Sequence, residues 1–125
     1  MAIIRKKIKL VGPLGKREIE AMFDSGASYS CIRKDIAEKL EILRPLVEPM
    51  EFVTAKKEIK IKAEYAVRLD FYINGDRFSD EFIVMEELGS EIIIGAKTMQ
   101  AWRMKIDFEA EEIKYNKRVT ELQII

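Results

Sequence analysis

At 125 residues the chain has room for one domain with a real core. Lys plus Arg and Asp plus Glu number 22 each, so net charge is zero, which argues against a nucleic-acid or acidic-membrane partner. The lack of histidine excludes a Ser-His-Asp or Cys-His arrangement and a histidine metal site, and the lone Cys31 excludes an internal disulfide and a cysteine-rich zinc site. No apolar run approaches a membrane span, and Met1-Ala2-Ile3-Ile4 is cut off by Arg5-Lys6-Lys7 before it can serve as a signal sequence. A single domain over residues 1–125, cytoplasmic and without metal or cofactor, is the expectation.

Ile4, Ile8 and Leu10 share one face of a first extended segment, with Lys6 breaking an otherwise period-two pattern. Gly12-Pro13-Leu14-Gly15 predicts a turn, and the alternation of Ile19, Ala21 and Phe23 a second strand ending at Asp24. Residues 29–32 read as a short strand and 33–40 as a short helix, with Ile36, Ala37 and Leu40 at helical spacing. Pro45 and Pro49 bound a predicted loop, and residues 51–54 and 58–69 look extended about a tip at Ala55-Lys56-Lys57. Asn74-Gly75 is the strongest hairpin signal, because both residues tolerate the positive φ of a type I′ turn. Ile92-Ile93-Ile94-Gly95 reads as a buried strand followed by a helix over 96–102. A further hairpin over 105–108 and 112–115 and a terminal strand over 119–125 complete a mostly β chain with one or two short helices, closed or strongly curved.

Chemistry concentrates at Asp24-Ser25-Gly26-Ala27, which occurs once, after the apolar run Ala21-Met22-Phe23. An isolated Asp-Ser-Gly is compatible with an ordinary turn. Its context is more specific: an apolar strand precedes it, a strand follows it, and Ile93-Ile94-Gly95 with a helix lies far downstream. Cys31 sits in an apolar strand with no histidine to activate it, so it reads as a buried structural thiol. Trp102, between Met99 and Met104, reads as core or interface.

With these motifs in this order the chain resembles the retropepsin-like (retroviral-type) aspartic proteases over nearly its whole length. The resemblance implies a closed acid-protease barrel with a flap hairpin, working as a homodimer on peptide or unfolded-protein substrates. It implies Asp24 as the catalytic carboxylate, Ser25 locking the two loops together, and Gly26 bringing its N–H to the carboxylates. Ser28 would hydrogen-bond the outer oxygen of Asp24. Ala27, Ser28, Ile93 and the flap residues Thr54, Ala55, Lys56, Lys57 and Ile59 would line the substrate groove. Metal-free peptide hydrolysis needs a carboxylate as base and a carboxylic acid as proton donor, which two contacting aspartates supply by sharing a proton. No second D-[ST]-G exists here, so Asp24 must meet Asp24 of another copy across a two-fold axis.

The departures concern charge and the flap. Retroviral enzymes often carry Asp at the position of Ser28 and Arg at that of Ala96; both partners of that ion pair are missing together, so neither charge is stranded. The flap tip lacks the family's glycine, and its two lysines read first as a solvated turn. A homodimeric aspartic endopeptidase is therefore expected, and the alternative is an inactive protease-like dimeric β module used for binding or assembly.

Overall fold

The computed structural model describes residues 3–53 and 59–124. Strands β1 (Ile3–Gly12), β2 (Gly15–Asp24) and β3 (Cys31–Arg33) precede the one-turn helix α1 (Lys34–Ala37). Strands β4 (Arg44–Val53), β5 (Lys60–Ile73), β6 (Asp76–Met85) and β7 (Ile92–Ile94) lead to helix α2 (Ala96–Ala101). Strands β8 (Lys105–Asp107) and β9 (Glu112–Lys114) and a 3-10 turn (Lys117–Thr120) finish the chain. Among these residues no helix is long and apolar enough to cross a membrane.

The strands run β1-β2-β7-β3-β6-β5 around a ring that closes where β1 pairs with β5 through Lys9–Tyr72, Leu10–Phe71 and Val11–Asp70. Closure removes the exposed edges an open sheet would present. β4 hangs outside the ring on β5, and β8–β9 form a separate two-stranded sheet. Period-two alternation sends Ile8 and Leu10, Ile19, Ala21 and Phe23, and Leu69, Phe71 and Ile73 into the barrel. Phe71 stacks on Phe78 at 5.5 Å between ring centroids, and Phe78 takes Trp102 and Tyr115 edge-on at 5.1 and 4.9 Å. Trp102 is thus a core-edge residue, as its setting suggests. β6 is buried on both faces: Phe82 and Val84 face the barrel, while Ile83 and Met85 join Cys31, Ala63 and Ala66 in a second cluster beneath β4.

The tight turn at residues 12–15 follows from crowding. A Cβ on Gly12 would lie 2.2 Å from the Leu40 carbonyl oxygen, and that oxygen accepts the Leu14 N–H at 3.0 Å. Asn74 and Gly75 take φ of 50° and 82°, as their hairpin signal requires. Lys6, which breaks the pattern of β1, turns inward and its Nζ meets Glu112 of β9 at 2.6 Å.

Three expectations are corrected. Residues 45–49 belong to strand β4; its register on β5 shifts between Pro45 and Met50, and an edge strand tolerates prolines whose missing N–H would face outward. The helix expected over 33–40 stops at Ala37, because Lys39 and Leu40 bond three residues back, to Ile36 and Ala37. In place of a terminal strand, the Asn116 side chain accepts the Arg118 N–H and starts a 3-10 turn, leaving Leu122 and Ile124 exposed. The flap-tip residues Thr54, Ala55, Lys56 and Lys57 lie outside the described residues; β4 and β5 pair as far as Val53–Lys60.

Candidate active site

β7 runs between β2 and β3, parallel to the first through Met22–Ile93 and antiparallel to the second through Cys31–Ile93. The segment that leaves β2 at Asp24 and returns at Cys31 must therefore pass over the C-terminal end of β7. Gly95 stands directly under it. A Cβ there would come within 2.5 Å of the Tyr29 carbonyl oxygen and 2.8 Å of that of Ala27. Only glycine admits this approach.

Asp24 is half-buried at the end of β2, and its Oδ1 accepts the Gly26 N–H at 2.8 Å while its carbonyl accepts Ala27 N–H at 3.1 Å. This Asx-type closure holds the carboxylate at the lip of the loop with its other oxygen free of that bond. Ser25, Gly26 and Ser28 are exposed and Ala27 is half-buried. Ala27 and Ser28 turn their carbonyls down to accept the N–H groups of Ala96 and Lys97 at 2.7 and 3.2 Å. Those two donors open α2 and have no partner within it.

A buried polar pair fixes the underside. Ser30 and Thr98 are each 2% exposed and share a 2.5 Å hydrogen bond, and Ser30 Oγ also accepts the Gly95 N–H at 2.9 Å. The Ser30 carbonyl accepts Ile83 N–H at 3.0 Å, tying the loop to β6. Tyr29 makes the outer connection: Lys97 Nζ lies over its ring and 3.1 Å from its hydroxyl, and Phe52 of β4 meets the ring edge-on at 6.0 Å. Sequence reasoning misses Ser30, Thr98, Tyr29 and Lys97. No local signal marks the pair: Ser30 follows Ser28 and Tyr29, and Thr98 lies between Lys97 and Met99.

Ile93 is half-buried in β7 beside the loop, and Ile59, just before β5, is exposed. Ser25 shares a cavity of about 340 Å³ with Met99, Met104, Lys105, Ile106 and Phe108. A cavity of about 670 Å³ around Arg103, Lys114 and Arg118 includes none of the Asp24 loop. Burial pushes the Cys31 thiol up to about 11, so it carries almost no thiolate near neutrality and is no nucleophile. Among the described residues no three His, Cys, Asp or Glu side chains gather as a metal site.

A six-stranded ring with β7 threaded beneath an Asp-Ser-Gly loop defines a retropepsin-like domain. Residues 12–101 match the family described as "gag-polyprotein putative aspartyl protease", and the chain belongs to that retropepsin-like aspartic protease family. The fold is similar to the retroviral protease-like domain of Ddi1 from Leishmania major (TM-score 0.67, 17% identity, 93% of this chain and 90% of that one). It is also similar to EIAV protease complexed with the inhibitor HBY-793 (TM-score 0.63, 11% identity, 85% of this chain and 93% of that one). No curated protein sequence matches the chain.

Proposed function

We propose that the protein is a homodimeric aspartic endopeptidase, with Asp24 of each copy forming one catalytic dyad. The observation that supports this most directly is the Asp24 carboxylate at the loop lip, held by the Gly26 N–H at 2.8 Å. A lone carboxylate supplies a base or an acid, and peptide hydrolysis through water needs both at once. Two Asp24 side chains brought into contact cannot both ionise comfortably, so they share a proton. One then deprotonates the attacking water while the other donates to the scissile carbonyl.

In this reading Ser25 binds the opposing loop, and Ala27, Ser28 and Ile93 border the groove. Substrate lies extended between the loops and the β4–β5 hairpin, pairing its backbone with strand edges. Thr54, Ala55, Lys56, Lys57 and Ile59 belong to the covering flap, which opens for substrate and closes over it.

The test incubates the protein and Asp24→Asn with a diverse peptide library from acidic to neutral pH, beside a measurement of mass in solution. Cleavage by the parent and none by the variant, with a dimeric mass, is the expected outcome. A dimer that cleaves nothing under any condition turns the reading to a non-catalytic β module for binding or assembly. A strictly monomeric chain that cleaves would remove the dyad.

A further inference from the structure

Cations from three separate elements converge on the cavity of about 670 Å³ that lies away from the Asp24 loop. Arg103 follows α2, Lys105 and Lys114 face each other across the β8–β9 hairpin, and Arg118 comes from the 3-10 turn. Tyr115, Asn116 and Val119 complete the lining, which contains no Asp or Glu. In a chain of zero net charge, four cations around one concavity concentrate a positive potential there.

Two of these placements are unfavourable in themselves. Lys105 stands directly opposite Lys114, and like charges in opposed positions destabilise a strand pair. Arg103 closes α2 in a Schellman motif: its N–H reaches the Gln100 carbonyl at 3.1 Å, and the Met104 N–H reaches that of Met99 at 2.8 Å. The motif puts Arg103 at φ 55°, a left-handed conformation ordinarily filled by glycine. Nearby carboxylates do not answer the charges. Arg103, Lys105 and Lys114 have no ion-pair partner among the described residues. Arg118 reaches only Glu121, at 4.0 Å between exposed groups. Glu112 is taken by Lys6, and Asp107 accepts the Ala110 N–H.

We propose that this cavity binds a small anion carrying two or more linked phosphate groups. A guanidinium pairs bidentately with phosphate oxygens and an ammonium acts as a point charge, so two of each suit a short chain of phosphates. A single phosphate leaves most of the space and charge unanswered, and 670 Å³ is within the range of small-molecule sites. A nucleic acid calls for a basic stripe running past the cavity. Here the hairpin turns acidic at Asp107 and Glu112, two residues along each strand. The site is independent of the Asp24 dyad and stands equally in a protein that cleaves nothing.

The experiment titrates sodium tripolyphosphate into the protein by calorimetry at low salt. Arg103→Gly, Arg118→Gln and Lys16→Gln are run beside the parent; Lys16 is exposed on β2 and outside the cavity. Lys105 is left intact because it also borders the cavity shared by Ser25. The parent is expected to bind, each cavity variant to bind about tenfold or more weakly, and Lys16→Gln to match the parent within about twofold. Arg103→Gly separates recognition from folding, since glycine suits the positive φ and removes only the side chain. If it fails to fold, Arg118→Gln decides alone. Adenosine triphosphate forms a second arm: affinity no greater than for tripolyphosphate assigns recognition to the phosphate chain, and greater affinity assigns it to a nucleotide, either upholding the site. A parent that takes up no tripolyphosphate at millimolar concentration overturns the proposal. So does an equal loss of affinity in Lys16→Gln, which marks diffuse charge attraction. Inorganic phosphate bound as tightly as tripolyphosphate, or a single-stranded oligonucleotide of matched charge bound more tightly, also overturns it.

Discussion

Replacing Ser30 with alanine removes one oxygen and strands two buried groups. The Gly95 N–H loses its acceptor at 2.9 Å, and the Thr98 hydroxyl loses its partner. Both residues carrying the pair are 2% exposed, so water does not replace the lost bonds freely. Each stranded group costs roughly 1–3 kcal/mol. Thr98 lies in α2 and can turn its hydroxyl to a carbonyl in the preceding turn, which holds the total to about 2–4 kcal/mol. At about 4 °C per kcal/mol for a domain of this size, the melting temperature falls by roughly 8–16 °C. Thr98→Val keeps the Gly95 bond and costs about 1 kcal/mol. The double variant should cost about 1 kcal/mol less than the sum of the singles, because their shared bond is counted twice. Urea unfolding of all four proteins, followed by circular dichroism, supplies the cycle. A Ser30→Ala protein within about 0.5 kcal/mol of the parent, or strict additivity, would refute the pinning argument.

Two further outcomes are expected. Gly95→Ala drives a Cβ into the backbone of Tyr29 and Ala27, so it should lose about 3 kcal/mol or more and, in whatever fraction folds, lose the proposed peptidase activity. Gly89→Ala, with nothing within 4 Å of the new Cβ, is the control and should match the parent in both respects. Cys31 supplies a pH signature: burial raises its thiol from 9.0 to about 11 in the folded state. A folded value above the unfolded one means the contribution is full below pH 9 and is lost as pH rises toward 11, by about 2–3 kcal/mol in all. Stability curves of parent and Cys31→Ala should therefore converge between pH 9 and 11; parallel curves would show that the thiol does not titrate with unfolding.

What was legible in the sequence was local or strongly patterned. Asn74-Gly75 declares its turn because the required positive φ is a property of those two residues alone. Ile92–Ile94 reads as a buried strand because Ile92 and Ile94 sit in the barrel core and β2 and β3 take both edges of β7, while Ile93 is half-buried. Asp24-Ser25-Gly26 was legible as the candidate site because an apolar strand delivers it to a turn. Pro45 and Pro49 mislead, since proline's lost donor is harmless on an edge strand that, among the described residues, pairs only with β5. Lys6 looks like a flaw in β1 because its partner, Glu112, lies 106 residues away. The same distance effect hides Ser30 and Thr98, whose hydroxyls mean nothing until the fold brings them together. Residues 119–125 carry a strand's apolar content, but the Asn116 cap redirects the chain before a strand can begin.

The closed ring also orders events in time. β1–β2 and β5–β6 are hairpins between neighbouring segments and can form as soon as each has been made. The seam from Leu10 to Phe71, and the Ser30–Gly95 bond across 65 residues, carry a loop-closure cost that local structure cannot offset. On a ribosome the loop bearing Asp24 emerges early, yet its floor is absent until α2 has been synthesised. A shortened product ending before Gly95 would carry the acid without the means to hold it.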